Sequence, residues 1–284
     1  MQRIDREYVR GVMPRRDPDG HKGTFGKVYL LGGSVGYTGA PVLCAGGAVR
    51  SGCGLVFLGV PESVWPAAAA KCLCAMPHQL AEKDGRLALA AGAEIRRRAE
   101  GCDAVAIGCG LGRGEDGDAL VRELLALDEP LVLDADGINA LEGHIDTLSR
   151  RRGRVTVLTP HEGELARIGG DMAASREAGA AAFAAAHGVY LVRKGRRTVV
   201  AAPDGRLAVN TTGNDGMAKG GSGDVLTGLL TGLLAQGMEP FAACCAAVWL
   251  HGRAGDLAAE EKGHRGMTPA DMIEMLPYAL KEVE

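Results

Sequence analysis

Residues 104–134, AVAIGCGLGRGEDGDALVRELLALDEPLVLD, carry the pattern from which the fold is read. Four apolar residues at 104–107 lead into a glycine-rich loop at 108–114. An Ala/Leu-rich run at 118–127 follows, and then a second apolar segment at 131–134. Short runs that are apolar throughout read as strands covered on both faces, and a helix between two of them reads as a parallel pair. Outward from this unit the rhythm repeats. It predicts strands at 27–31, 55–60, 155–159 and 189–193, with helices at 40–51, 87–100, 162–168 and 173–187. The expected fold is α/β, a mostly parallel central sheet with helices on both faces. After it, 198–202 and 207–210 read as a hairpin turned by Pro203-Asp204-Gly205. Further helices are predicted at 224–236, 241–261 and 269–275. There is no Ser/Pro-rich linker and no internal repeat, so one domain over residues 1–284 is expected.

Composition narrows the classes. The chain is 46% apolar and 24% charged, which is ordinary for a globular protein and supplies a sizeable core. A net charge of −3 with 4% aromatic residues offers no basic, aromatic-rich face for nucleic acid. No run approaches the roughly 18 apolar residues that span a bilayer, and 1–23 holds no apolar signal-peptide core. The eight cysteines form no CxxC pair and several lie in apolar segments, the pattern of a reduced, cytoplasmic protein.

Unusual residues gather in the loops after the predicted strands. They are GGSVGYTGAP (32–41), GCGLGRG (108–114), DADGIN (134–139), TPHEGE (159–164) and RKGRRT (193–198). In open α/β sheets ligands bind beyond these carboxyl ends, so the loops mark a site. The most telling segment is NTTGNDGMAKGGSGDVLTG (210–228), with six glycines and two aspartates ahead of an apolar helical run. Gly220, Gly221 and Gly223 permit positive φ and let backbone N–H groups face one way, which suits an anion at a helix start. Asp224 falls in that first turn, where a carboxylate would repel a phosphate unless it serves as a base for the attacking hydroxyl. An ordinary glycine turn with an N-terminal Asp is the plainer reading. Other nucleotide motifs fail. No Lys-Ser or Lys-Thr follows the glycines at 32–39, and Arg113 stands where a GxGxxG run needs its third glycine.

The strings HKGTFGKVYLLGGS (21–34), TGAP (38–41), GLG (110–112), LDADGIN (133–139) and TPHEGE (159–164) stand in this order. RKGRRT (193–198), TTGNDGMAKGGSGDVLTGLLTGLLAQG (211–237) and LHGRAGD (250–256) complete the series. Together they resemble the nucleotide-dependent NAD(P)H-hydrate dehydratase family, whose fold is ribokinase-like. Bifunctional members add an N-terminal epimerase domain, and with 20 residues before His21 the resemblance is to the stand-alone form.

The resemblance implies that ADP or ATP phosphorylates the hydroxyl of the S form of hydrated NADH or NADPH. Phosphate elimination then regenerates the dihydronicotinamide, and stand-alone microbial forms lean to ADP. It implies Asp224 as the catalytic base, with Gly221, Ser222 and Gly223 as an anion hole. Ser222 stands where the family usually has Thr, and the hydroxyl is retained. Substrate contacts carry over to Ala40, Gly112, His161 and Asp224, and nucleotide contacts to Lys194, Gly195, Arg196, Arg197, Thr198 and Gly223. Mg²⁺ is implied, reached through water from Asp134, Asp136, Asn139 and Glu164 with no direct ligand assigned. A homotetramer is implied as well. Two rivals share these residues: a small-molecule kinase acting on a vitamin precursor or sugar, and a non-catalytic nucleotide-binding regulator. The longer string NTTGNDGMAKGG (210–221) together with TPHEGE separates the dehydratase from the kinase, and Asp224 speaks against the regulator.

Overall fold

The computed structural model describes residues 1–284. In chain order its strands are β1 (Gln2–Ile4), β2 (Lys27–Leu31), β3 (Leu55–Pro61), β4 (Met76–Leu80), β5 (Glu82–Lys83) and β6 (Arg86–Leu87). They continue with β7 (Ala104–Ile107), β8 (Leu131–Leu133), β9 (Thr156–Leu158), β10 (Tyr190–Arg193), β11 (Val199–Ala201) and β12 (Leu207–Asn210). β5 and β6 pair with each other, and the other ten form one sheet in the order β1-β12-β11-β10-β9-β8-β7-β2-β3-β4. Every neighbouring pair from β10 to β4 is parallel, while β11 runs antiparallel to both β10 and β12.

Alternation along the strands divides the interior into two cores. Val28, Leu30, Ala104, Ala106 and Val132 join helices Gly39–Arg50, Ser222–Ala235 and Pro240–Gly266 on one face. Tyr29, Leu31, Val105, Ile107 and Leu133 join helices Gly92–Ala99, Glu115–Leu124 and Arg176–His187 on the other. The result is the three-layer arrangement expected from the apolar strands. No helix is long and apolar enough to cross a membrane.

Helix Ser222–Ala235 is the best buried of these elements, with every residue from Val225 to Ala235 inside. Burying Leu226, Leu229, Leu230 and Leu233 contributes about 1.5–3 kcal/mol each relative to exposure. Helix Gly39–Arg50 lies against it at backbone contact. A Cβ on Gly228 would stand 1.8 Å from the Cys44 carbonyl oxygen, and one on Gly47 would stand 2.3 Å from that of Val225. These two helices thus fix where the chain at Gly221–Asp224 begins.

Several elements depart from the pattern. The segment at 87–100 is not one helix: Leu87 ends β6, Leu89–Ala91 is a 3₁₀ turn and the helix is Gly92–Ala99. The cause is the β5–β6 hairpin, whose closing bond from Ala88 N–H to the Ala81 carbonyl (3.0 Å) holds Ala88 extended. β4 contains Pro77, His78 and Gln79, a composition that does not read as a strand; it is tolerated because β4 pairs only with β3 at the edge. β1 has three residues, too few for any periodicity. The helix from Pro240 is broken at Gly263 (φ 73°, ψ 154°) before its end at Gly266, and the last helix runs on to Lys281.

Candidate active site

The floor of the site is a buried ion pair. Asp134, directly after β8, accepts from Lys194 Nζ at 2.6 Å, Thr159 Oγ1 at 2.7 Å and Thr227 Oγ1 at 2.8 Å. Its side chain is 2% exposed and that of Lys194 18%. Burial alone would raise the Asp134 pKa, but Lys194 and the two hydroxyls hold it below the usual carboxylate range. Burial alone would likewise lower that of Lys194, yet Asp134, and Glu164 at 3.8 Å, raise it. Both groups therefore stay charged. They are brought together by the ends of β8, β9 and β10 and by helix Ser222–Ala235.

Beside this pair the chain turns at Gly221 (φ 103°) and enters that helix. The N–H groups of Gly221, Gly223 and Asp224 have no protein acceptor, whereas Ser222 N–H donates to the Lys219 carbonyl at 3.3 Å. Gly221, Gly223 and Asp224 thus offer free N–H donors at the helix start, where the expected set is Gly221, Ser222 and Gly223. A helix start must leave its first N–H groups free, and Lys219 reaches only one of them. Ser222 Oγ is buried without a partner. Gly223 packs closely on the floor, where a Cβ would stand 3.3 Å from Lys194 Nζ. The Ser222 carbonyl accepts from His251 Nε2 at 2.8 Å, so this nitrogen carries the proton. Burial pushes the His251 pKa down to about 4, and the ring is neutral at ordinary pH.

Asp224 stands on the first turn of the helix. One carboxylate oxygen each from Asp224 and Asp134 lies with Cys109 Sγ in a cluster spanning 4.8 Å. Burial first, and then the Asp134 charge, push the Asp224 carboxyl up to about 7, against a Cys109 hydrogen bond and the Lys194 charge. A carboxyl poised near neutrality beside unpaired N–H groups and a buried ammonium is equipped to take a proton next to an anion.

The remaining expected residues lie around this floor. Ala40 opens helix Gly39–Arg50 and packs on the loop after β7, where a Cβ on Gly110 would stand 2.8 Å from its own. Gly112 (φ 76°) donates its N–H to Asp136 at 2.9 Å and lies under Arg86 and Ser34. His161 caps helix Glu162–Arg167: its Nδ1 accepts from Gly163 and Glu164 N–H at 3.0 and 3.2 Å, leaving a side chain 55% exposed at the rim. Gly195, Arg196 and Arg197 are exposed. Thr198 Oγ1 donates to the Gly195 carbonyl at 2.9 Å. Arg176 staples this turn by donating to the carbonyls of Arg193, Lys194 and Arg196. Gly223 lies against Lys194, and residues 195–198 continue from Lys194 into the turn that Arg176 staples. Cys109, Arg86, Arg176 and the His251 bond were not foreseen. For Cys109 the available signal was its place between two glycines at a strand end.

The fold is ribokinase-like. The chain belongs to the NAD(P)H-hydrate dehydratase family, whose profile matches residues 28–278. It is 36% identical over 282 residues to the ADP-dependent (S)-NAD(P)H-hydrate dehydratase of Bacillus subtilis, covering 98% of this chain and 97% of that protein. It is 43% identical over 283 residues to the bifunctional NAD(P)H-hydrate repair enzyme of Moorella thermoacetica, covering 98% of this chain and 53% of the relative. It therefore spans about half the length of the bifunctional relatives it matches. The crystal structure of the Bacillus subtilis ADP/ATP-dependent enzyme, co-crystallised with ATP and Mg²⁺, superposes with a TM-score of 0.82. That alignment has 32% identity and covers 100% of this chain and 99% of the other.

Proposed function

We propose that this protein uses ADP, or ATP, to dehydrate the S form of hydrated NADH and NADPH. The observation that carries the reading is Asp224, a carboxyl pushed up to about 7 at a helix start with unpaired N–H groups. Water is a poor leaving group and phosphate a good one, so a phosphoryl-transfer site serves a dehydration. Asp224 takes the proton from the hydroxyl of the hydrate as that oxygen bonds to the terminal phosphorus of the nucleotide. The N–H groups of Gly221, Gly223 and Asp224 meet the charge on the moving phosphoryl group, and Lys194 adds a cation from the floor. The nucleotide leaves shortened by one phosphate. Inorganic phosphate then departs from the substrate, and the ring double bond re-forms with loss of a proton. Ala40, Gly112 and His161 line the substrate side, and Gly195 to Thr198 the nucleotide side.

Mg²⁺ belongs to the same proposal. The carboxylates near the site are already engaged: Asp134 by Lys194 and two threonines, Asp136 by Gly112 and Asn139, Glu164 by the His161 N–H at 2.8 Å. Such a set fits an ion that keeps its waters and reaches these residues through them. The ion would neutralise charge on the phosphate oxygens. Assembly as a homotetramer and a cytoplasmic location complete the reading.

The test is absorbance at 340 nm on hydrated NADH with Mg²⁺, with ADP and ATP supplied separately. A rise that requires nucleotide is expected. No rise with either nucleotide, from folded protein given the S epimer, would contradict it and favour a kinase of the same fold.

A further inference from the structure

The β5–β6 hairpin belongs to neither face of the sheet, and its sequence EKDGR (82–86) has four charged side chains in five residues. Asp84 and Gly85, at φ 50° and 71°, make the tight turn that an Asp-Gly pair favours. The hairpin is anchored on several sides. Glu82 Oε2 accepts from Ser63 N–H at 2.7 Å, and the Gly85 carbonyl accepts from Val35 N–H at 2.9 Å. Lys83 pairs with Asp116 at 2.8 Å, and Leu87 is fully buried. These contacts seat it between the loop after β2 and the loop after β7, which lead to Ala40 and carry Gly112.

Arg86 is exposed and makes neither a hydrogen bond nor an ion pair through its side chain. It lies over the second loop. A Cβ on Gly112 would stand 3.0 Å from Arg86 Nε and 3.2 Å from Cδ, and one on Gly114 would stand 3.9 Å from Nη1. Nearby acids are taken: Asp136 by the Gly112 N–H, Asp116 by Lys83 and Glu142 by Arg113. An exposed, unpaired guanidinium adds little to stability. Holding one over a glycine backbone on the substrate side makes sense for an anion that arrives with a ligand.

We propose that Arg86 binds a phosphate of the dinucleotide substrate, either the pyrophosphate or the 2′-phosphate that only the NADPH form carries. The proposal rests on the dehydratase reading above. A planar fork of N–H donors suits either group, and bidentate bonds to it favour Arg over Lys.

R86Q and R86K are assayed beside the unaltered chain on hydrated NADH and hydrated NADPH at saturating ADP, with ADP affinity measured by calorimetry. Loss of an exposed phosphate contact should raise KM for the hydrate by about 3–10-fold in R86Q, with partial recovery in R86K. kcat and ADP affinity should move by less than about twofold. A KM increase for both hydrates assigns the pyrophosphate, and an increase for hydrated NADPH alone assigns the 2′-phosphate. Unchanged KM for both hydrates in folded R86Q overturns the proposal and leaves the dehydratase reading standing. If the unaltered chain turns over neither hydrate, both fall together.

Discussion

The floor of the site and its rim are built on opposite principles. On the floor, both carboxylate oxygens of Asp134 are occupied and Lys194 is almost enclosed. At the rim, Arg86, Arg196 and Arg197 are exposed and their guanidinium groups have no partner. Removing one member of a buried pair strands a charge, so floor residues stay where the fold puts them. Exposed cations contribute little to the fold and are free to change partner. The contrast suits the proposed function, with chemistry at the floor and recognition of ligand charge at the rim.

The largest break in that contrast comes at Asp224. D224N should lower kcat at 340 nm by about 10²–10⁴-fold while leaving ADP binding largely intact, as expected for loss of a general base. In the unaltered chain kcat should rise with pH through about 7, because the carboxyl must be ionised to accept the proton. For stability the same shift acts in reverse. Its folded pKa of about 7 lies above the ordinary 3.8, so the folded state binds the extra proton and this group lowers stability as pH rises between those values. D224N should therefore melt at a higher temperature than the unaltered chain at pH 8. An equal or lower melting temperature would show that the carboxyl is not buried as described.

D134N is next in size. It leaves Lys194 without its closest counter-charge, a loss of about 3–5 kcal/mol for a buried pair, readable as a clear fall in melting temperature. No fall would mean that the floor is not held by this pair. The smallest effect belongs to the nucleotide side of the rim. R196Q/R197Q should raise KM for ADP by roughly 3–10-fold, the scale of one or two exposed phosphate contacts, with the melting temperature unchanged. A fall in kcat at constant KM would move these residues from rim to floor.

The parallel sheet was legible because its strands are apolar at every position, as in Ala104–Ile107 and Leu131–Leu133. Edges were harder. β4 carries Pro77 and two polar residues because only one side of it pairs, and the Asp84-Gly85 turn stands just ahead of the Ala/Leu/Arg-rich run at 87–100 that reads as a helix. In the site, Asp224 and the glycines around it were legible because they lie together at 220–224. The Asp134–Lys194 pair joins residues 60 positions apart, and no local pattern announces that two strand ends will place them 2.6 Å from each other. The bond of the Ser222 N–H was not legible for a related reason: its acceptor, the Lys219 carbonyl, depends on the shape of the turn.

The most direct test of the whole account is stoichiometry. Hydrated NADH, ADP and Mg²⁺ are mixed with the protein, and NADH, AMP and inorganic phosphate are quantified from the same reaction. One of each per turnover is predicted, since the phosphoryl group passes to the substrate and leaves it again. AMP formed with a stable phosphorylated substrate and no NADH would contradict the account and make the protein a kinase.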